Sequence, residues 1–381
     1  MADLQRAVQA LLDELVESGE EVGLQAAVYV EGQLAADCVA GWRSQDRETP
    51  VCEDTLFTVY SCTKGVVASA VHILAERGLI DYERPVAEYW PEFAQAGKGS
   101  VSVTQALNHL AGIPQTVQVA GKSSGEIWAD LDLCVAEVAR LKPIFPPGST
   151  VCYHGLTFGW IAEGIVRGLG LSLGEIVAEE IVKPLHIGNE MYLGTPASEH
   201  GRMATPFDKP LTGEPPAIDP LALQCVPLDL AEALNRPEVR SAQVAAANIS
   251  TTARALARHY AALVGEVDGC RLISETHLEQ VFSQRVDLPD VTLEQFAAVP
   301  QETPRAGGYQ LNTGRRDQIM YFGPNPRAFG HDGYGGSFGS ADPEAKVALG
   351  YAKTLLHTDQ IPVRFETLSK TRFIETVYGN L

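Results

Sequence analysis

Ser61 and Lys64, in the run Ser61-Cys62-Thr63-Lys64, are the residues of this sequence best suited to covalent chemistry. On a helix, a three-residue offset puts both side chains on one face. A serine hydroxyl attacks a carbonyl only when a base takes its proton, and lysine is such a base when desolvation or its neighbours keep the amine neutral. The run opens a buried helical pattern, so free N–H groups and the positive dipole end lie beside the serine. That combination suits acyl transfer. The spacing also arises by chance, and Ser61 taken alone fits a helix N-cap equally well.

Two further segments carry candidate groups. Tyr153-His154-Gly155 follows the turn Pro146-Pro147-Gly148. A phenol beside an ammonium group is pushed toward phenolate, and Tyr153 could share with Lys64 the deprotonation of Ser61 and the protonation of a leaving alcohol. Taken singly, Tyr153 reads more readily as an ordinary half-buried aromatic at a subdomain junction. His154, next to it, is a candidate for the pocket lining, although chain alternation could turn it away. The second segment is His331-Asp332-Gly333-Tyr334-Gly335-Gly336-Ser337. Gly333 and Gly335 would let a substrate approach the backbone, the N–H of Tyr334 would join that of Ser61 as an oxyanion hole, and His331 would sit at the cleft edge. The run Gly335 to Gly339 also matches a nucleophile elbow around Ser337, but that motif needs a helix after the serine and here a strand pattern follows.

The surrounding elements must bring these segments together. Leu24 to Val30 and Gln33 to Val39 read as strands joined at the turn Glu31-Gly32. A helix of about five turns runs from near Ser61 to Gly78. From Ile80 to about Pro300 the pattern is mostly helical, broken by proline clusters. Strands return at Gly336 to Ala341 and Lys346 to Ala352 around Asp342-Pro343-Glu344, before a final helix around Val363 to Tyr378. If consecutive strands pair, the ends of the chain share one antiparallel sheet under the terminal helices. The fold class is then α+β, with residues 1–80 and 305–381 as a discontinuous sheet domain and 81–304 as a mainly helical subdomain with cleft-forming loops.

Composition narrows the function. The 381 residues are 45% hydrophobic with a net charge of −19, which suits a globular protein and disfavours nucleic-acid and membrane partners. A small-molecule substrate is expected. Residues 1–17 form an amphipathic helix pattern rather than a basic, apolar signal peptide, which predicts a cytoplasmic protein. The seven cysteines, odd in number and without a CxxC, read as buried thiols. The nine histidines show no metal-binding spacing, so neither metal nor other cofactor is called for.

The three segments in this order resemble the serine β-lactamase and penicillin-binding-protein superfamily, most closely class C β-lactamases and family VIII carboxylesterases and transesterases. Thr55-Leu56-Phe57, Leu74 to Leu79, Tyr89 to Phe93, His109 to Pro114, Pro147-Gly148 and Phe329 to Gly333 extend the similarity over nearly the whole chain. The resemblance implies a β-lactamase/transpeptidase-like fold, Ser61 as acylated nucleophile, Lys64 as its base partner and Tyr153 as second base. The His331 segment would stand where the family has lysine-threonine-glycine. Two departures matter. Gly155 replaces the asparagine of tyrosine-x-asparagine, and His331 replaces a lysine, removing the permanent cation that receives a β-lactam or peptide carboxylate. Both favour a neutral ester. The expected activity is hydrolysis of a small carboxylic ester through an acyl-enzyme on Ser61. The alternatives are a biosynthetic transesterase, a β-lactamase or D-amino peptidase, and a catalytically silent binding protein; the sequence says nothing of oligomeric state.

Overall fold

The turn Glu31-Gly32 has positive φ at both residues, 49° and 77°, the backbone a tight hairpin requires. It joins β1 (Gly23–Val30) to β2 (Gln33–Gly41). A computed structural model describes residues 2–210, 220–225, 227, 229–292, 304–312, 322–357 and 369–381 of the chain. The other strands in it are β3 (Phe57–Thr58), β4 (Met191–Leu193), β5 (Phe207–Asp208), β6 (Ile249–Thr251), β7 (Arg305–Ala306), β8 (Tyr309–Leu311), β9 (Phe329–Asp332), β10 (Phe338–Asp342), β11 (Val347–Lys353) and β12 (Leu355–Leu356). Seven form one sheet in the order β2-β1-β11-β10-β9-β8-β7. Every pairing in it is antiparallel, and β1 lies directly against β11, so strands from both ends of the chain share the sheet.

The helices that matter for the site are α1 (Ala2–Glu17), α2 (Cys62–Glu76), α3 (Val103–Leu107), α4 (Thr157–Arg167), α5 (Ala253–Val264), α6 (Glu275–Ser283) and α7 (Ser369–Tyr378). Alternation along β1 sends Leu24, Ala26 and Val28 to one core, which they share with Val8, Leu12 and Leu15 of α1 and Phe373 and Val377 of α7. Ala27 and Tyr29 face the other core, with Val66, Val67, Ala70 and Val71 of α2 and Leu256, Ala257 and Tyr260 of α5. The sheet is covered on both faces. Each of the larger aliphatic side chains contributes roughly 1.5–3 kcal/mol on burial.

One expected bound shifts. The helix after Ser61 has 15 residues, about four turns, and ends where Gly78 takes φ 75° and the Leu79 N–H reaches back to Leu74 O at 3.0 Å. The final helix is described from Ser369; residues 363–368 of the expected range lie outside the described residues, as do 211–219 and 293–303 of the middle block. Helix α5, within the 81–304 block, packs on the sheet so closely that a Cβ on Gly350 would meet Ala253 O at 2.1 Å. No helix among the described residues is long and apolar enough to cross a membrane.

Candidate active site

A small sheet, ordered β3-β6-β4, sets up the start of α2. β3 pairs with β6, and the ladder continues one residue further as Val59 N–H donates to Ile249 O at 3.0 Å. The chain then turns sharply into the helix. Tyr60 makes the turn in the left-handed region, φ 47°, a conformation that costs a bulky residue on the order of 1–3 kcal/mol. Its ring is buried. Ser61 follows at the helix N-terminus, and its side chain caps nothing. The hydroxyl is therefore not consumed by helix capping. Thr63 Oγ1 accepts the Ile249 N–H at 3.0 Å, which ties the first turn of α2 back to β6.

Lys64 is fully buried, and Nζ lies 2.9 Å from Ser61 Oγ, 2.8 Å from Gly155 O and 3.0 Å from Ala246 O. A neutral amine has two N–H bonds and one lone pair. The two carbonyls can only accept, so they use both N–H bonds and leave the lone pair toward the serine O–H. Electrostatics favour the same state: burial first, then the Arg305 guanidinium, hold the amine well below its ordinary pKa. Ser61, partly exposed, is the member of this pair that a solute can reach.

Tyr153 is buried and its side chain hydrogen-bonds to Ser61. Lys64 Nζ lies 4.8 Å from the centre of the same ring. The structure thus brings Ser61, Lys64 and Tyr153 together. It corrects the expected phenolate, however. Burial drives the Tyr153 pKa up and outweighs the Ser61 bond and Arg305, so the resting group is a neutral phenol, a proton donor.

The third segment departs further from expectation. His331 on β9 is fully buried rather than at a cleft edge; its ring centre is 6.4 Å from that of Tyr153. Nδ1 lies 2.7 Å from Asp332 O, and burial, with Lys64 and Arg305 adding to it, holds the imidazole well below its ordinary pKa. It is neutral and offers no cation to a substrate carboxylate. His154 is likewise fully buried and turned inward: Nδ1 lies 2.6 Å from Cys152 O, and Nε2 accepts the Ile113 N–H at 3.2 Å. It lines no pocket. The Gly333 N–H is spent on Ser337 O at 2.7 Å, so this glycine donates nothing to an oxyanion; a Cβ there would meet Val59 O at 2.4 Å. Gly335 has φ 80°, and a Cβ would press on Leu356 at 2.5 Å, so the left-handed turn and the strand below require it, rather than substrate approach. Tyr334 opens this 3₁₀ turn, partly exposed, its ring 5.5 Å from that of Tyr60. Ser337 is fully buried and β10 follows it, so the elbow motif lacks its helix.

Sequence reasoning missed four supporting groups. Two are the backbone carbonyls of Gly155 and Ala246, which carry no side-chain signal. The others are Asp290 and Arg305, both buried and paired through Nη2 and Oδ2 at 3.0 Å. Asp290 Oδ1 and Thr292 Oγ1 accept the Tyr153 N–H at 3.1 and 3.0 Å, and the Arg305 Cζ lies 5.1 Å from the Tyr153 ring centre. The one hint in sequence was an arginine immediately before Ala306-Gly307-Gly308 at the start of a strand pattern.

Residues 8–366 match the sequence family described as beta-lactamase. The esterase/beta-lactamase LipL of Mycobacterium tuberculosis is 33% identical over 343 residues, 85% of this chain and 75% of its own. The crystal structure of a family VIII carboxylesterase superposes with a TM-score of 0.86 at 33% identity, over 99% of this chain and 98% of the other. A penicillin-binding protein homolog from Caulobacter crescentus gives 0.85 at 32% identity, over 100% and 98%.

Proposed function

The chain belongs to the beta-lactamase family, and from that premise we propose that it is a serine carboxylesterase that cleaves a small, neutral carboxylic ester through an acyl-enzyme on Ser61. The observation that carries this reading is the placement of Lys64 Nζ 2.9 Å from Ser61 Oγ, between two backbone carbonyls and fully buried, where desolvation favours the neutral amine. The esterase names of LipL, of EstB from Burkholderia gladioli and of the family VIII carboxylesterase support the substrate class.

In the proposed reaction Lys64 Nζ takes the Ser61 proton as Oγ bonds to the ester carbonyl carbon, and the carbonyl pair moves to its oxygen. The N–H groups of Ser61 and Tyr334 receive that oxyanion. As the tetrahedral intermediate collapses, the alcohol leaves with the Tyr153 proton, and Tyr153 regains one from the Lys64 ammonium. Water repeats the sequence on the acyl-enzyme, and an alcohol in its place would give acyl transfer. Acylamino substrates are disfavoured because Gly155 has no side-chain amide, and substrates with a carboxylate because His331 is neutral and buried. All seven cysteines are free thiols, which supports a reducing, cytoplasmic setting.

The test is Ser61→Ala assayed on p-nitrophenyl acetate and butyrate, with intact-mass detection of the acyl-enzyme. The expected loss is about 10³-fold or more, and the acyl adduct should vanish. An adduct that persists on another residue would overturn the assignment, and nitrocefin turnover rivalling ester cleavage would restore the β-lactamase reading.

A further inference from the structure

The groups around the Tyr153 ring are nearly all bases without charge. Lys64, His109, His154 and His331 are fully buried, and burial is the first cause holding each below its ordinary pKa. The His109 ring is 4.9 Å from that of Tyr153, and His109 Nδ1 accepts the His154 N–H at 3.0 Å. The thiols of Cys62 on α2 and Cys152 before Tyr153 are buried and held protonated by their surroundings. Against this neutral set, among the described residues, stands the Arg305–Asp290 ion pair. Arg305, from β7, keeps its charge in any protein setting, and its guanidinium is held by Asp290 through the 3.0 Å bond. The same carboxylate accepts the backbone N–H of Tyr153 through its other oxygen.

We propose that Arg305, clamped by Asp290 and lying over the Tyr153 ring, is a positioning residue for proton transfer at Ser61: it fixes the phenol from behind and sets the electrostatic field in which Lys64 works. Two features give the pair this role. Asp290 binds the backbone and Arg305 meets the ring of the same tyrosine, so together they limit both the depth and the tilt of the phenol. A permanent cation 5.1 Å from the centre of that ring also opposes a second positive charge on Lys64, 4.8 Å from the same centre, and leaves the amine free to accept the serine proton. The pair is too deep to meet solvent, with the arginine 1% and the aspartate 0% exposed, so water does not screen its field.

The inference rests on Lys64 acting as the base, and the experiment separates the two. The dependence of kcat/KM on pH is measured with p-nitrophenyl butyrate for the wild type, Arg305→Gln, Arg305→Lys, Asp290→Asn and Lys64→Ala, with circular dichroism on each. Arg305→Gln removes the cation, so Lys64 holds its proton to higher pH. The rising limb should move up by about one pH unit, so that activity falls about tenfold on the acid side of the limb and recovers on the alkaline plateau. Arg305→Lys should keep the limb near its original place. Asp290→Asn keeps an acceptor for the Tyr153 N–H but leaves the arginine uncompensated, so its limb should move the opposite way, to lower pH. A uniform loss in Arg305→Gln with the limb unmoved would reduce the pair to packing and overturn the proposal. If Arg305→Gln does not fold, the Asp290→Asn limb decides alone: a downward shift supports the field, and an unmoved limb overturns it. Acyl-enzyme forming at the wild-type rate in Lys64→Ala would instead remove the premise about Lys64, whatever the arginine variants do.

Discussion

Lys64 carries the chemistry that most needs its surroundings. A buried lysine with two carbonyls on its N–H bonds and, among the described residues, no carboxylate on its amine is a base in waiting, and replacing it by alanine should cost acylation about 10³-fold or more, read as the burst of p-nitrophenolate. The pH profile follows from the directions of the two shifts. Lys64 must be neutral, and its pKa is lowered, so kcat/KM should reach its plateau well below the 10.5 of an ordinary lysine. Tyr153 must keep its proton, and its pKa is raised, so the plateau should extend past 10 before activity falls. A profile that peaks narrowly near neutrality would contradict both assignments. Tyr153→Phe should lower kcat/KM for alkyl esters by about 10²- to 10⁴-fold and spare kcat/KM for p-nitrophenyl esters, whose leaving group departs as an anion, while kcat falls for both because deacylation still expels the Ser61 oxygen. Steady-state kinetics on matched ethyl and p-nitrophenyl esters would decide it.

The elements hold these residues through close backbone approaches. Gly159 on α4 lies where a Cβ would meet the carbonyl carbon of Ala245 at 2.3 Å, and the next residue, Ala246, supplies one of the Lys64 acceptors. Gly159→Ala should therefore do two things at once. It should destabilise the fold by about 1–3 kcal/mol, seen in the urea midpoint, and it should lower kcat by displacing Ala246 O from the amine. Full activity with lowered stability would show that the 245–246 segment tolerates the shift. Hairpins at this scale were legible, because turn dipeptides and alternation are local signals: β1 and β2, and β10 and β11, lie within a residue or two of their expected places. The β3-β6-β4 sheet was not. Its strands are two or three residues long and lie far apart along the chain, so no periodicity marks them.

At the scale of the whole molecule, the two ends of the chain are joined by a buried charge cluster. Glu21, between α1 and β1, meets Lys353 of β11, the His357 imidazole at 3.2 Å and the hydroxyl of Ser369 on α7. Burial alone would raise the Glu21 pKa, but Lys353 and His357 outweigh it, and the net shift is downward. A carboxylate whose folded pKa lies below 4.5 adds stability that is full above the unfolded value and is lost as pH falls through the folded one. Urea midpoints should therefore drop in acid for the wild type. Glu21→Ala should cost about 3–5 kcal/mol at neutral pH by stranding the lysine, and should flatten that acid dependence. The division of labour between sequence and fold follows from distance along the chain. The contact between Ser61 and Lys64 was decided by the sequence, because helix geometry fixes a three-residue offset. The strands at both ends were legible as local patterns, and the family likeness carried Tyr153 and the fold class. Only tertiary packing decided that the phenol stays protonated, that His154 and His331 turn inward, and that Asp290 and Arg305 stand behind the tyrosine. Burial and long-range partners set protonation and side-chain direction, and neither is encoded in any short stretch of residues.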